Sequence, residues 1–169
     1  GVYPLSAGEI LFGGESIGGL RPDVIVRKRV ARTFQNIRLF NRQTCIENVL
    51  TPLLQRGKCS FFGAILGMPG ARRMERELHE KAMDLLKSLG LAKYAGWQAG
   101  SLPYGLQRKL EIARALATDP RLLLLDEPAA GMNPEETRSL AELVSEIRDK
   151  FNLTILLIEH HMDLVMNIC

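Results

Sequence analysis

A chain of 169 residues is long enough for one domain with a real core, and 46% hydrophobic against 24% charged residues is ordinary for a globular protein. A dispersed net charge of +3 gives no electrostatic case for nucleic acid, and the longest apolar run, 61–69, is far too short to span a bilayer. Cys45, Cys59 and Cys169 show no metal-ligand spacing and suit free thiols in a reducing cytosol.

In chain order, residues 8–12, Gly13-Gly14 and 15–17 read as a hairpin around a diglycine turn. Residues 30–34 form a candidate strand ending in Gln35, and the first third is expected to be strand-rich. Arg27, Lys28, Arg29 and Arg32, and later Arg72, Arg73 and Arg76, are basic clusters read as surface decoration. From Thr44 the pattern turns helical, with a first helix near 45–54 and a Gly-rich, loop-like stretch over 57–70. A strong helix is expected from about Arg73 to Leu89. Leu78, Ala82, Leu85, Leu86 and Leu89 share its apolar face, and Gly90 stops it. A mostly helical block therefore interrupts a sheet-based fold over 44–105.

The segment Leu102-Pro103-Tyr104-Gly105-Leu106-Gln107 runs into a helix over 111–117. Pro103 suits the first turn, and Gly105 leaves amides accessible where a helix start can bind phosphate. A plain helix cap accounts for the same residues, and both readings stand.

Leu122-Leu123-Leu124-Leu125-Asp126-Glu127-Pro128 is the most informative stretch. Four leucines without polar alternation read as a strand buried on both faces of a parallel sheet. Asp126 and Glu127 then emerge at the carboxyl end, where open α/β sheets bind their ligands. One carboxylate there can hold a hydrated Mg²⁺ on a phosphate while the next orients or deprotonates a water. A surface turn is the plainer reading of Asp-Glu-Pro.

Asn133-Pro134-Glu135-Glu136 is a helix start, with Asn as cap, Pro at the first position and Glu136 as capping-box partner. Leu140, Leu143, Val144, Ile147 and Phe151 make one apolar stripe, and Asn152 marks the end. Residues 154–158 read as a second buried strand, giving a β-α-β unit with parallel strands. Glu159, His160 and His161 then leave the sheet at the edge that carries Asp126 and Glu127.

The order of these features resembles the nucleotide-binding subunit of an ABC transporter. The corresponding parts are Phe34-Gln35 (the Q-loop), the helical block, the signature segment 102–107 and the Walker B strand ending at Asp126. Glu127, the D-loop over 130–133 and the switch histidine His160 follow. The wording of 104–116, 126–134 and 32–40 is similar to one branch, the ATP-binding subunits of branched-chain amino-acid importers.

The resemblance implies a P-loop NTPase-like α/β fold: a mostly parallel sheet flanked by helices, an inserted helical subdomain and an N-terminal antiparallel β element. It divides the chain into a β-rich part (1–43), a helical subdomain (44–105) and the Walker B, D-loop and switch part (106–169). It implies ATP and Mg²⁺ as cofactors, with Glu127 and His160 catalytic. Gln35, Asp126, Tyr104, Gly105, Leu106, Gln107 and Asn133 would bind nucleotide, with Asp126 and Gln35 toward the metal.

The implied partners are integral membrane permease subunits, a second ATP-binding subunit (identical or not) and, indirectly, an external solute-binding protein. No nucleic acid is expected. The implied location is peripheral, on the cytoplasmic face of the plasma or inner membrane, with the block from Thr44 to Gly100 contacting the permease. The apolar loop 61–68 is either part of that contact or packed internally.

Two departures stand out. The usual signature Leu-Ser-Gly-Gly-Gln is here Leu102-Pro103-Tyr104-Gly105-Leu106, so a hydroxyl and an amide side chain are replaced by Pro103 and Leu106. His161 stands where the branch often has Asp, a change read as neutral. The 169 residues hold no Gly-x-x-x-x-Gly-Lys-Ser/Thr phosphate loop. The resemblance sets that loop just before Gly1, with residues 1–4 as the tail of its helix. The expectation is an internal piece of a longer subunit, truncated at both ends and inactive alone. The alternatives are an ABC ATPase for another solute and a non-catalytic truncated binding module.

Overall fold

Leucines 122–125 lie in the middle of a three-stranded sheet in a computed structural model that describes residues 5–56, 69–160 and 162–168. The 61–68 loop, residues 1–4, His161, Cys59 and Cys169 lie outside the described residues. The chain opens with a hairpin of β1 (Leu11–Phe12) and β2 (Glu15–Ser16), paired Leu11 to Ser16 and Phe12 to Glu15. Gly13 and Gly14 have φ of 60° and 82°, the left-handed pair a two-residue hairpin turn demands.

A short helix α1 (Pro22–Arg27) follows in the span expected to be strand-rich. Its signals are Pro22 at the start, where no N–H is needed, and Asp23 in the first turn and Arg27 in the last, the two charges matching the helix dipole. Then come β3 (Val30–Arg32), α2 (Cys45–Arg56), α3 (Pro69–Ser88) and two single 3₁₀ turns. The rest is α4 (Tyr104–Leu116), β4 (Leu122–Asp126), α5 (Pro134–Phe151), β5 (Thr154–Ile158) and α6 (Met162–Ile168).

Strands β3, β4 and β5 are parallel, in that order, with Arg32 opposite Leu124 and Asp126 opposite Ile158. The β-α-β reading of 122–158 therefore holds. The burial expected on both faces does not. Side chains alternate along a strand, and among the described residues only one face of this sheet is fully covered. Leu123 and Leu125 are buried and Ile155 and Leu157 pack against the core, but Leu156 and Ile158 on edge strand β5 are 56% and 52% exposed.

One contiguous core joins the sheet to the helical block. Leu123 and Leu125 belong to the same cluster as Val49 of α2, Leu86 of α3, Leu110 of α4 and Leu140 of α5. Thr44 starts α2 by reciprocal capping: its N–H and hydroxyl both donate to Glu47, whose own N–H donates to Thr44 Oγ1. One turn on, the buried Asn48 donates to the carbonyls of Phe40 and Thr44 and accepts from the Phe40 N–H. That amide fixes the segment after Gln35 against α2.

Candidate functional site

Parallel strands share one carboxyl edge, and four of the sequence-selected side chains meet there. At the end of β4 the Glu127 N–H donates to the Ile158 carbonyl at 2.9 Å, the last rung toward β5. Glu127 itself has φ of 43°, a left-handed conformation that costs a side-chain-bearing residue about 1–2 kcal/mol. The turn swings its carboxylate out of the ladder. Glu127 Oε2 accepts a 2.8 Å hydrogen bond from Gln35 Nε2, and Oε1 lies 3.2 Å from His160 Nε2. The carboxylate is thus gripped from the end of β3 on one side and the end of β5 on the other. His160 is 80% exposed along its side chain, so its ring remains open to solvent while touching Glu127.

Asp126 takes a different partner. Its Oδ2 accepts from Arg32 Nη2 at 2.7 Å. Arg29 likewise holds the Asp119 carbonyl and carboxylate, at 2.9 and 3.0 Å. The cluster read as surface decoration therefore contains two residues fixed to the β4 strand and its approach, because a strand edge places neighbouring side chains within reach of one another. Behind the site, Glu159 accepts from the amides of Ala129 and His160, tying the turn after Glu127 to the one carrying the histidine.

Tyr104, Gly105, Leu106, Gln107 and Asn133 form a second group, around the starts of α4 and α5. Pro103 precedes α4 as its cap residue, and Gln107 Nε2 turns back to the Leu102 carbonyl at 2.8 Å. A side chain at Gly105 would begin 3.1 Å from Glu136 Oε1, so α5 approaches closely there. Between them lies a cavity of about 250 Å³, bounded by Pro103, Leu106, Met132 and Glu135. Asn133 completes the capping box: it accepts from the Glu136 N–H at 2.9 Å while Glu136 accepts from the Asn133 N–H at 3.1 Å. Its side chain is used as a helix cap. Gly131, with φ of 77°, stands beside the Tyr104 ring.

Sequence reading passed over the residue linking the two groups. Arg108, fully buried in α4, donates to the carbonyls of Phe34 and Gln35 at 2.7 Å each. Its only signal in the sequence is an opposite charge, Glu111, one turn on, and Lys109 and Arg114 make a charge on this helix unexceptional.

The donors at the sheet edge suit a hard cation. Gln35 gives its amide nitrogen to Glu127, leaving the amide oxygen on the other limb, and Asp126 already attracts a guanidinium. Among the described residues no three His, Cys, Asp or Glu side chains gather as a metal cage. One or two carboxylates are what Mg²⁺ takes when water and phosphate oxygens complete its shell, so the residues present fit that ion.

Residues 1–130 match the family profile described as ABC transporter. The chain belongs to the ABC transporter family. Two relatives are each 47% identical to this ABC transporter chain over 168 residues: the high-affinity branched-chain amino acid transport ATP-binding proteins BraF of Pseudomonas aeruginosa and LivG of Escherichia coli K12. Each match covers 99% of this chain and 66% of the relative, so the chain spans just under two thirds of their length.

Among solved structures it resembles the ADP conformation of an ATP-binding cassette of an ABC transporter, with TM-score 0.79 and 30% identity over 98% of this chain and 64% of that one. It also shares the fold of a dimeric post-hydrolysis cassette bound to ADP and Pi, at TM-score 0.76 and 22% identity over 98% of this chain and 68% of that one. Among the described residues no helix is long and apolar enough to cross a membrane.

Proposed function

We propose that this chain is the Q-loop-to-switch portion of an ATP-hydrolysing subunit that powers import of branched-chain or related amino acids. The observation that carries the reading is Glu127, turned out of β4 and held between Gln35 and His160. A carboxylate so fixed has the lone pairs and the orientation to take a proton from a water attacking the terminal phosphate. His160 and Gln35 present an N–H and an amide at the same point, suited to the phosphate oxygens. Asp126, with the Gln35 amide oxygen, would hold Mg²⁺, which supplies charge neutralisation on the phosphates when bound.

The solute class rests on the names of the BraF and LivG relatives. The division into 1–43, 44–105 and 106–169 follows the same reading. Residues Tyr104 to Gln107, with Asn133, would face the nucleotide of a second ATP-binding subunit, and the 44–105 block would meet the permease on the cytoplasmic face. The external solute-binding protein would act through that permease.

The test is Glu127→Gln in the full-length subunit. ATP binding should persist while hydrolysis falls on the order of 10²-fold or more, the scale of a positioned base. Near-normal turnover would remove Glu127 from the role.

A further inference from the structure

Gln35 reaches Glu127 from a backbone that is not part of the sheet. The last ladder bond on that side runs from the Thr33 N–H to the Leu124 carbonyl, and the chain bends at residues 35 and 36. Consecutive carbonyls of an extended strand point in opposite directions. Those of Phe34 and Gln35 both point at one guanidinium. Arg108 Nη1 donates to Phe34 O and Nη2 to Gln35 O, each at 2.7 Å.

The same guanidinium is anchored from its own helix. Nη1 also donates to Glu111 Oε2 at 2.8 Å, and Nη2 lies 3.3 Å from the Tyr104 hydroxyl. The other oxygen of Glu111 accepts from the Arg38 N–H at 3.3 Å. Arg108 is fully buried and Glu111 nearly so, at 0% and 4% side-chain exposure. Burying a charge costs several kcal/mol unless it is paired and hydrogen-bonded. Here the partners are a carboxylate and two backbone carbonyls. A lysine carries its three donors on one nitrogen and cannot span two peptide groups and a carboxylate at once, whereas the planar fork of arginine does so by shape.

Building on the hydrolytic reading above, we infer that Arg108 is a positioning residue for Gln35: it locks the bend at 34–35 to the first turns of α4, and so sets how far the Gln35 amide reaches toward Glu127. The juxtaposition has a second consequence. The Tyr104 hydroxyl touches the same guanidinium, so the start of α4 and the Gln35 backbone form one unit. A rotation of α4 carries Gln35 with it, coupling the segment 102–107 to the carboxylate that Gln35 holds.

The test is a double-mutant cycle of Arg108→Lys and Gln35→Ala in the full-length subunit, with steady-state ATP hydrolysis, Mg-ATP affinity and thermal stability measured for each. Arg108→Lys should lower kcat by roughly 10- to 10²-fold, the range a displacement of up to about 1 Å gives. KM should move by a smaller factor than kcat, since Gln35 is the one nucleotide-facing group displaced and Asp126, Glu127 and His160 keep their own supports. In the Gln35→Ala background the same substitution should cost little further rate, because the group it positions is gone. Independent, multiplying losses in kcat would overturn the proposal, as would a kcat for Arg108→Lys equal to wild type.

If Arg108→Lys gives no folded protein, Glu111→Gln, which weakens the anchor without removing the guanidinium, takes its place in the same cycle with the same two outcomes. Failure of the hydrolytic reading would show separately, as Glu127→Gln retaining turnover while the cycle is still measurable.

Discussion

Arg32 donates a 2.7 Å hydrogen bond to Asp126 from the neighbouring strand. Arg32 is in register with Leu124, so Asp126 is its diagonal neighbour on the same face, within reach of a long side chain. The pair sets a cation beside the first of two adjacent carboxylates. Both partners keep solvent contact, at 46% and 22% side-chain exposure, which limits the stabilisation.

Arg32→Ala should therefore cost no more than about 1 kcal/mol in urea unfolding, and Asp126→Asn should cost less in that background than alone. The coupling should shrink in high salt. A coupling energy indistinguishable from zero at low salt would mean that the contact contributes nothing.

His160 separates stability from rate. Its ring is largely exposed, so His160→Ala should change stability by less than about 0.5 kcal/mol. The same variant loses the only ring nitrogen on Glu127 Oε1 among the described contacts. In the assembled transporter, hydrolysis should fall on the order of 10²-fold, the usual loss for one preorganised polar contact to a developing charge. A wild-type rate there would end the switch assignment.

The turn at Asn133 gives a stability test with a built-in control. Asn133→Ala removes the acceptor for the Glu136 N–H and should cost about 1 kcal/mol, whereas Asn133→Asp retains it and should cost much less. Urea midpoints for the two variants make the comparison. Equal losses would point to a role for the amide beyond capping.

Much of this was legible because it is local or periodic. The diglycine hairpin, the α5 cap at Asn133 and the parallel 122–126 and 154–158 strands each follow from rules acting within one or two turns or one strand. The grouping of Glu127 with His160 followed from strand ends sharing an edge, and Gln35 joined them only through the family resemblance. What stayed hidden depends on partners far apart in sequence. Arg108 reads as a surface charge until Phe34 and Gln35, more than seventy residues earlier, supply its carbonyls. Asn48 is hidden for a different reason: Phe40 is only eight residues away, but nothing in the sequence shows that the loop before α2 folds back onto it. The exposure of Leu156 and Ile158 was also invisible, since an apolar run does not reveal which face of its strand has a helical cover.

Cys45 offers a probe of the helical block. It is fully buried at the start of α2, and burial pushes its thiol above the usual range. Both effects suppress the reactive thiolate. Alkylation of Cys45 at neutral pH, followed by mass spectrometry, should be slow and should accelerate only in denaturant. Rapid labelling under native conditions would mean that α2 opens without global unfolding.

The start of α2 also fixes a pH dependence. Hydrogen bonds from the Thr44 backbone N–H, then from its hydroxyl, hold the Glu47 carboxyl below its ordinary value of 4.5. A group whose folded-state value is depressed adds stability that is present above the unfolded value and lost as pH falls through the folded one. The contribution is therefore complete at neutral pH, begins to fade near 4.5 and disappears below the lowered value. Glu47→Gln keeps a capping acceptor but has no charge to titrate. The variant should be less stable than wild type at neutral pH, and the gap should close with acidification. Urea unfolding of both proteins on either side of 4.5 measures it. A gap that stays constant across that range would show that the carboxylate charge plays no part in holding Thr44 at the head of the helix.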